Sequence, residues 1–237
     1  MIKKRLHKTK IRFVLLIIFF ILLTPFLNKE YHNIFPPAIQ PKEQAATALL
    51  MNFLGEFRTS IAALFYIKSE EYFHELEAMQ NWKEQTETMP LFRLVTLLDP
   101  HMIQAYDVAS YHLAVDLKKV QEGLDFLNEG LTNNPNNPEL HFTAALIHFM
   151  RTQNYEEAVN HAKTAQAFTT DKMMLGNIIR IKAYSLLRQK RVQESLESFQ
   201  ELLKLLQEDP NFNEDDPAIR GLKTKINELK QLLSPTK

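Results

Sequence analysis

The chain has 237 residues, 45% of them apolar, with 5 glycines, 11 prolines and no cysteine. Such a chain can bury a sizeable core. It has too little glycine for a hairpin-rich β fold or a phosphate-cradling loop, and no thiol for a disulfide, a thiolate metal site, a cysteine nucleophile or a lipid-modified N-terminal cysteine. A formal charge of zero hides a split: residues 1–28 carry six basic side chains and no acid, leaving 22 basic against 28 acidic beyond them, which argues against nucleic-acid binding.

Residues 1–12 form a basic flank holding Lys3, Lys4, Arg5, Lys8, Lys10 and Arg12. Residues 13–27, FVLLIIFFILLTPFL, follow without a charge. As a helix they cover roughly 22 Å of a roughly 30 Å hydrocarbon core, and Ile11 with a snorkelling Arg12 extends the reach. The stretch is expected to be one uncleaved transmembrane helix. The h-region of a cleaved signal peptide is the alternative, although no small-x-small site follows in Thr24, Pro25, Phe26, Leu27, Asn28 and Lys29. The basic flank implies a cytoplasmic N-terminus and a body across the membrane, periplasmic or extracytoplasmic if the membrane is a bacterial inner membrane. Residues 28–42, with Pro36, Pro37 and Pro41, read as an extended spacer.

From residue 43 onward the apolar spacing is helical. Over 43–101, Ile61, Leu64, Phe65, Tyr72, Phe73 and Leu76 lie along one long candidate helix, with an irregular stretch over 79–87 and a second helix carrying Leu91, Phe92, Val95 and Leu98. Gly55 is expected to break helix and Phe57 to pack in the core. Over 102–210 the pattern recurs: Asp99-Pro100, Asn134-Pro135 and Asp209-Pro210 each close a helix pair, because proline disfavours helix in the residue before it. Gly123, Ala158 and Ser195 occupy equivalent places 35 and 37 residues apart, with Thr88 another 35 before them. A small residue at that interval lets two helices cross closely. Over 214–234 Asp216 can cap, Pro217 suits the first turn, and Ile219, Leu222, Ile226, Leu229 and Leu233 form one stripe, as a solenoid's terminal helix requires.

The string Tyr155-Glu156-Glu157-Ala158, the recurring small residues and the Asp-Pro and Asn-Pro closers resemble tetratricopeptide repeats, with three units over 102–210 and a looser one before them. The family's tryptophan place holds Tyr106, Phe142 and Ile179, its glycine is mostly missing, and Lys182 stands where leucine is usual. Residues 53–58 and the LDPH string at 98–101 also resemble the opening of bacterial membrane-anchored repeat proteins. The expected fold is all-α: a right-handed helical-hairpin solenoid of tetratricopeptide-like repeats preceded by one transmembrane helix.

The resemblance implies that the first helices of successive units line a peptide-binding groove. Carried over, it assigns Gln104, Asp107 and Tyr111, then Thr143, Ile147 and Arg151, then Asn177, Arg180, Tyr184 and Arg188. Arg180, Tyr184 and Arg188 share one helix face, and two guanidinium groups beside an aromatic ring suit a carboxylate or acidic peptide. The competing reading is a solvated basic face balanced by acids such as Glu194 and Glu197. His141 and His148 lie seven apart on one helix, with His161 and His112 on neighbouring helices. That spacing offers two metal ligands at most, and packing is the plainer role. Glu70 with Glu71, and Glu156 with Glu157, point different ways on a helix, and no nucleophile elbow is present.

The expected function is therefore that of a membrane-anchored scaffold or adaptor, holding a partner protein or an acidic peptide during assembly of a bacterial envelope complex. No catalysis, cofactor, metal or small-molecule substrate is expected. A permanent structural subunit of a membrane complex is the alternative, and an enzyme with an unrecognised site ranks last.

Overall fold

The structure, a computed structural model, describes residues 55–78 and 89–234, without the side chains of residues 56 and 72–78. The anchor, spacer and irregular stretch expected at 13–27, 28–42 and 79–87 lie outside the described residues. Among those described there is no strand, and no helix is long and apolar enough to cross a membrane.

Among the described residues, a short 3-10 turn, Gly55–Phe57, is followed by nine helices: α1 (Arg58–Ala78), α2 (Met89–Leu98), α3 (Ile103–Tyr111), α4 (Val120–Asn133), α5 (Pro138–Ile147), α6 (Tyr155–Phe168), α7 (Lys172–Arg188), α8 (Val192–Gln207) and α9 (Pro217–Leu233). Each helix packs on the next, α3 also meets α5, and α5 meets α7. The result is a row of antiparallel hairpins, α1–α2, α3–α4, α5–α6 and α7–α8, closed by α9.

The boundaries follow from local chemistry. The carboxamide of Asn137 accepts from the backbone N–H of Leu140 at 3.0 Å, and that of Asn154 from Glu157 at 3.3 Å. The carboxylates of Asp171 and Asp216 accept from Met174 and Ala218, each at 2.8 Å. These groups satisfy donors that a helix start leaves open. Pro138 and Pro217 occupy first-turn positions, where a missing N–H costs nothing.

The hairpins α3–α4, α5–α6 and α7–α8 turn through one recurring device. Lys118, Gln153 and Lys190, 35 and 37 residues apart, all adopt the left-handed conformation, with φ of 59°, 54° and 63°. A side chain pays a steric penalty there that glycine escapes. Replacing Lys118, Gln153 or Lys190 by glycine should therefore raise stability by about 0.5–1 kcal/mol each, net of the entropy glycine adds to the unfolded chain. Urea titration of the single and triple variants would measure it, and a loss of stability in all three would refute the argument.

The core runs along the row. Ala62, Phe92, Val95 and Leu98 pack with Ala105 and Ala109. Tyr106, Leu127, Leu140 and Ile147 form the next cluster, followed by Ala145, Ala162, Ala165 and Ile178. Ala183, Leu196, Phe199, Ile226 and Leu229 then join α9 to the last hairpin. Burying one Leu, Ile or Phe side chain contributes about 1.5–3 kcal/mol, so each junction rests on several such contributions.

The small residues sit where helices cross. A Cβ on Gly123 would lie 2.7 Å from the Ser110 carbonyl oxygen and 2.8 Å from the Ala114 nitrogen. Ala158 is fully buried, and the Ser195 hydroxyl donates to the Ala183 carbonyl at 2.9 Å. Lys182, placed where the repeat pattern has leucine, carries its ammonium out to Gln166 at 2.6 Å and Glu201 at 3.0 Å, bridging α6, α7 and α8.

Two first helices end in a widened turn: α3 runs into a π-helical segment, His112–Asp116, and α5 into another, His148–Thr152. Phe57, expected in the core, is 74% exposed and sits in the turn that opens α1.

Candidate functional site

The first helices α3, α5 and α7, together with α9, carry two clefts. One, of about 320 Å³, lies between α3, α5 and α7 and is lined by Asp107, Tyr111, Glu139, Phe142, Thr143, Leu146 and Met174. The other, of about 510 Å³, is an open cleft between α7 and α9, with Arg180 and Tyr184 on one side and Pro217, Gly221, Leu222, Lys225 and Glu228 on the other. Helix α7 borders both, giving Met174 to the first and Arg180 and Tyr184 to the second.

In the first cleft the Thr143 hydroxyl donates to the Asp107 carboxylate, a contact between residues 36 apart that joins α3 to α5. Burial raises the Asp107 carboxyl above its ordinary range and the nearby Glu139 charge pushes the same way, while the Thr143 bond opposes them. In the second cleft Tyr184 stands edge-on to Phe199, ring centres 5.1 Å apart, which holds the phenol upright at the surface. The Arg180 guanidinium is exposed and, among the described residues, makes one long bond, 3.4 Å, to Asn177. Lys225 is shared with Glu228 at 3.0 Å.

Of the residues the sequence assigned to a groove, Asp107, Tyr111 and Thr143 meet in the first cleft, and Arg180 with Tyr184 in the second. Asn177 supports Arg180 from the preceding turn. Gln104 and Arg188 are exposed and line neither cleft. Ile147 is fully buried in the core against Tyr106 and Leu140, so Leu146 rather than Ile147 faces the groove. Arg151 turns inward: its guanidinium donates to the Val115 carbonyl and ties the two π turns together. Sequence reasoning missed Glu139, Phe142, Leu146 and Met174, and every contribution of α9. The α9 residues could have been found by treating the terminal helix as the first helix of one more unit.

A second polar cluster lies between α5 and α6. His141 and His148, seven residues apart, both meet His161 on α6. The Nδ1 atoms of His141 and His161 are 2.9 Å apart, and the His148 ring stacks on that of His161 with centres 5.7 Å apart. The Pro135 carbonyl, 2.8 Å from His141 Nε2, can only accept, so that nitrogen carries the proton. Neutral His141 then accepts at Nδ1 from the Nδ1–H of His161. Burial depresses the His161 pKa to about 4, with His141 and His148 pushing the same way and Glu157 opposing. Burial depresses His148 as well. His112 is apart from this cluster, buried beside Asp116 at 3.1 Å. Among the described residues no group of three or more His, Asp or Glu side chains is arranged to hold a metal ion.

The fold and its clefts define an all-α protein of consecutively packed helical hairpins, an arrangement compatible with tetratricopeptide-like repeats. No protein-family model matches the chain, and no curated protein matches it either.

Proposed function

We propose that this protein is a membrane-tethered scaffold or adaptor that holds a peptide segment of a partner protein across the first helices of a tetratricopeptide-like array. The observation that supports this reading is the pair of neighbouring clefts along α3, α5, α7 and α9, each combining apolar or aromatic walls with a few charged groups. Function in such an array resides in shape and groove chemistry, without reactive atoms. The apolar residues 13–27 would tether it to a membrane, with the basic flank cytoplasmic and the array on the other side, as in assembly of a bacterial envelope complex.

A permanent subunit of a membrane complex is a second reading, supported by one observation. On α1, the first described helix, Leu64 is 64% exposed and Ile67 59% exposed, two large apolar side chains.

The test is affinity capture of the full-length chain after detergent extraction, compared with the variants Arg180→Ala/Tyr184→Ala and Leu64→Lys/Ile67→Lys. A partner held by the parent and lost by the first variant supports the adaptor. A partner lost only by the second supports the permanent subunit, and one retained by both variants defeats both surfaces.

A further inference from the structure

Resting on the peptide-binding reading above, we infer that the groove is built for a dipolar segment. An extended stretch of the partner seats a lysine or arginine side chain in the cleft between α3, α5 and α7, and presents a carboxylate to Arg180 and Lys225 in the cleft beside α9.

The first cleft has the construction of a cation pocket. Leu146 and Met174 supply apolar wall for an aliphatic stem, and the rings of Tyr111 and Phe142 stand where a cation can lie against them. Asp107 and Glu139 supply the negative end. One Asp107 oxygen takes the Thr143 hydroxyl, and among the described residues no basic side chain pairs with Asp107 or with Glu139. Burial above all, and the Glu139 charge in the same sense, disfavour the charged form of the Asp107 carboxyl, which has no counter-ion among the described residues. An incoming ammonium or guanidinium offsets that cost and replaces lost solvent with charged hydrogen bonds. The apolar and aromatic walls favour a long organic cation over a bare metal ion, which would seek further oxygen ligands.

The second cleft carries a net positive charge, two cations against one acid, Glu228. Arg180 is exposed with one long bond among the described residues, and Lys225 stands across from it on α9, bonded to Glu228 at 3.0 Å. A carboxylate between them gains the guanidinium fork and an ammonium at once. The two clefts are also at a defined interval. Met174 in the first and Arg180 and Tyr184 in the second sit on the same helix, six and ten residues apart. At 1.5 Å per residue that is roughly 9–15 Å. An extended peptide covers it in about three to five residues at roughly 3.3 Å each. The charges therefore impose a direction: a segment laid the other way sets its acid against Asp107 and Glu139 and its base against Arg180, and like charges so placed are strongly disfavoured.

The test uses a defined panel of fluorescein-labelled decapeptides in a Ser/Val/Thr background, read by fluorescence polarisation against the full-length detergent-extracted chain. Each peptide carries one Lys and one Glu at every separation from two to seven, in both orders, beside Lys-only, Glu-only and neutral controls. The expected result is tightest binding at separations of about three to five in one order, at least about tenfold tighter than the reversed order. Asp107→Asn/Glu139→Gln should abolish the gain from lysine and leave Glu-only binding unchanged. Glu139→Gln alone leaves the Thr143 bond in place and should remove part of the gain, which guards against a folding defect in the double variant. Glu-only binding with no gain from lysine, or a gain untouched by these variants, overturns the dipolar groove while leaving a peptide-binding array standing. Binding of no charged peptide above the neutral control overturns both.

Discussion

Replacing Gly123 by alanine is expected to destabilise the protein by about 1–3 kcal/mol, although the same change in an exposed helix would be stabilising. The added Cβ would stand 2.7 Å from the Ser110 carbonyl oxygen and 2.8 Å from both the nitrogen and the Cβ of Ala114. Two of those atoms are backbone, so α3 and α4 must separate, opening the junction that Tyr106, Leu127 and Leu140 fill. Gly130 faces a similar obstacle, its Cβ falling 2.7 Å from the Tyr106 ring, and Tyr106 is fully buried with its hydroxyl on Glu129 at 3.1 Å. Gly221 provides the control. It lies inside α9 with nothing within 4 Å of its Cβ position, so Gly221→Ala should gain about 0.5–1 kcal/mol from helix propensity alone. Urea unfolding of the three variants decides the matter: losses at 123 and 130 beside a gain at 221 are required. A melting-point change of about 2–4 °C per kcal/mol would accompany them.

Acidification should weaken the fold between pH 6.5 and about 4 through the histidine cluster. His161 has its pKa depressed from 6.5 to about 4, so in that window the native chain binds fewer protons than the unfolded one. Its contribution is then fully present above pH 6.5 and drains away as the pH falls toward 4. The structural cause is visible in the packing: a charge on His161 would be largely cut off from water by burial, with the His141 ring 2.9 Å away and the His148 ring stacked against it. Part of the His161 ring meets solvent, which reduces the full linkage value to a loss on the order of 1–2 kcal/mol. Asp107, displaced upward, works in the opposite sense, its protonation relieving the fold as pH falls. Urea midpoints measured from pH 7.5 to 4 should drop for the parent chain, and His161→Phe, which keeps a ring but cannot titrate, should flatten that slope. An equal slope in both proteins would remove the histidines from the explanation.

The hairpin plan was legible because its determinants are local and repeat. Proline after Asp or Asn stops a helix, Asn154 and Asp216 start one, and Gly123, Ala158 and Ser195 fix where two helices touch. The site was legible only in part, because periodicity gives a face and not a depth. A four-residue step drifts by roughly 40° around a helix, and at Ile147 the drift carries the side chain into the core while Leu146 turns to the groove. Arg151 lies past the point where α5 widens, so a straight helical wheel could not place it. The meeting of His141 and His148 with His161 depends on how α5 and α6 are phased against each other, which no spacing within either helix specifies. Phe57 shows the limit of hydrophobicity as a guide, since it stands exposed in the turn that opens α1.

The π turns at His112–Asp116 and His148–Thr152 have a consequence for how such a chain can vary. Just after the first, the backbone N–H groups of Leu117 and Lys119 reach back to His112 and Leu113, at 3.0 and 2.8 Å, so a wider loop of backbone is closed before α4 begins. The Arg151 guanidinium then fastens the second such turn to the first. Helix α7, in the same position of the next hairpin, has no widened segment at all. A wide turn of this kind can take up a residue gained or lost, so an insertion there need not shift every hairpin beyond it. Length polymorphism, as well as substitution, is then a route by which the lining of a groove can diverge while the stack that displays it stays the same.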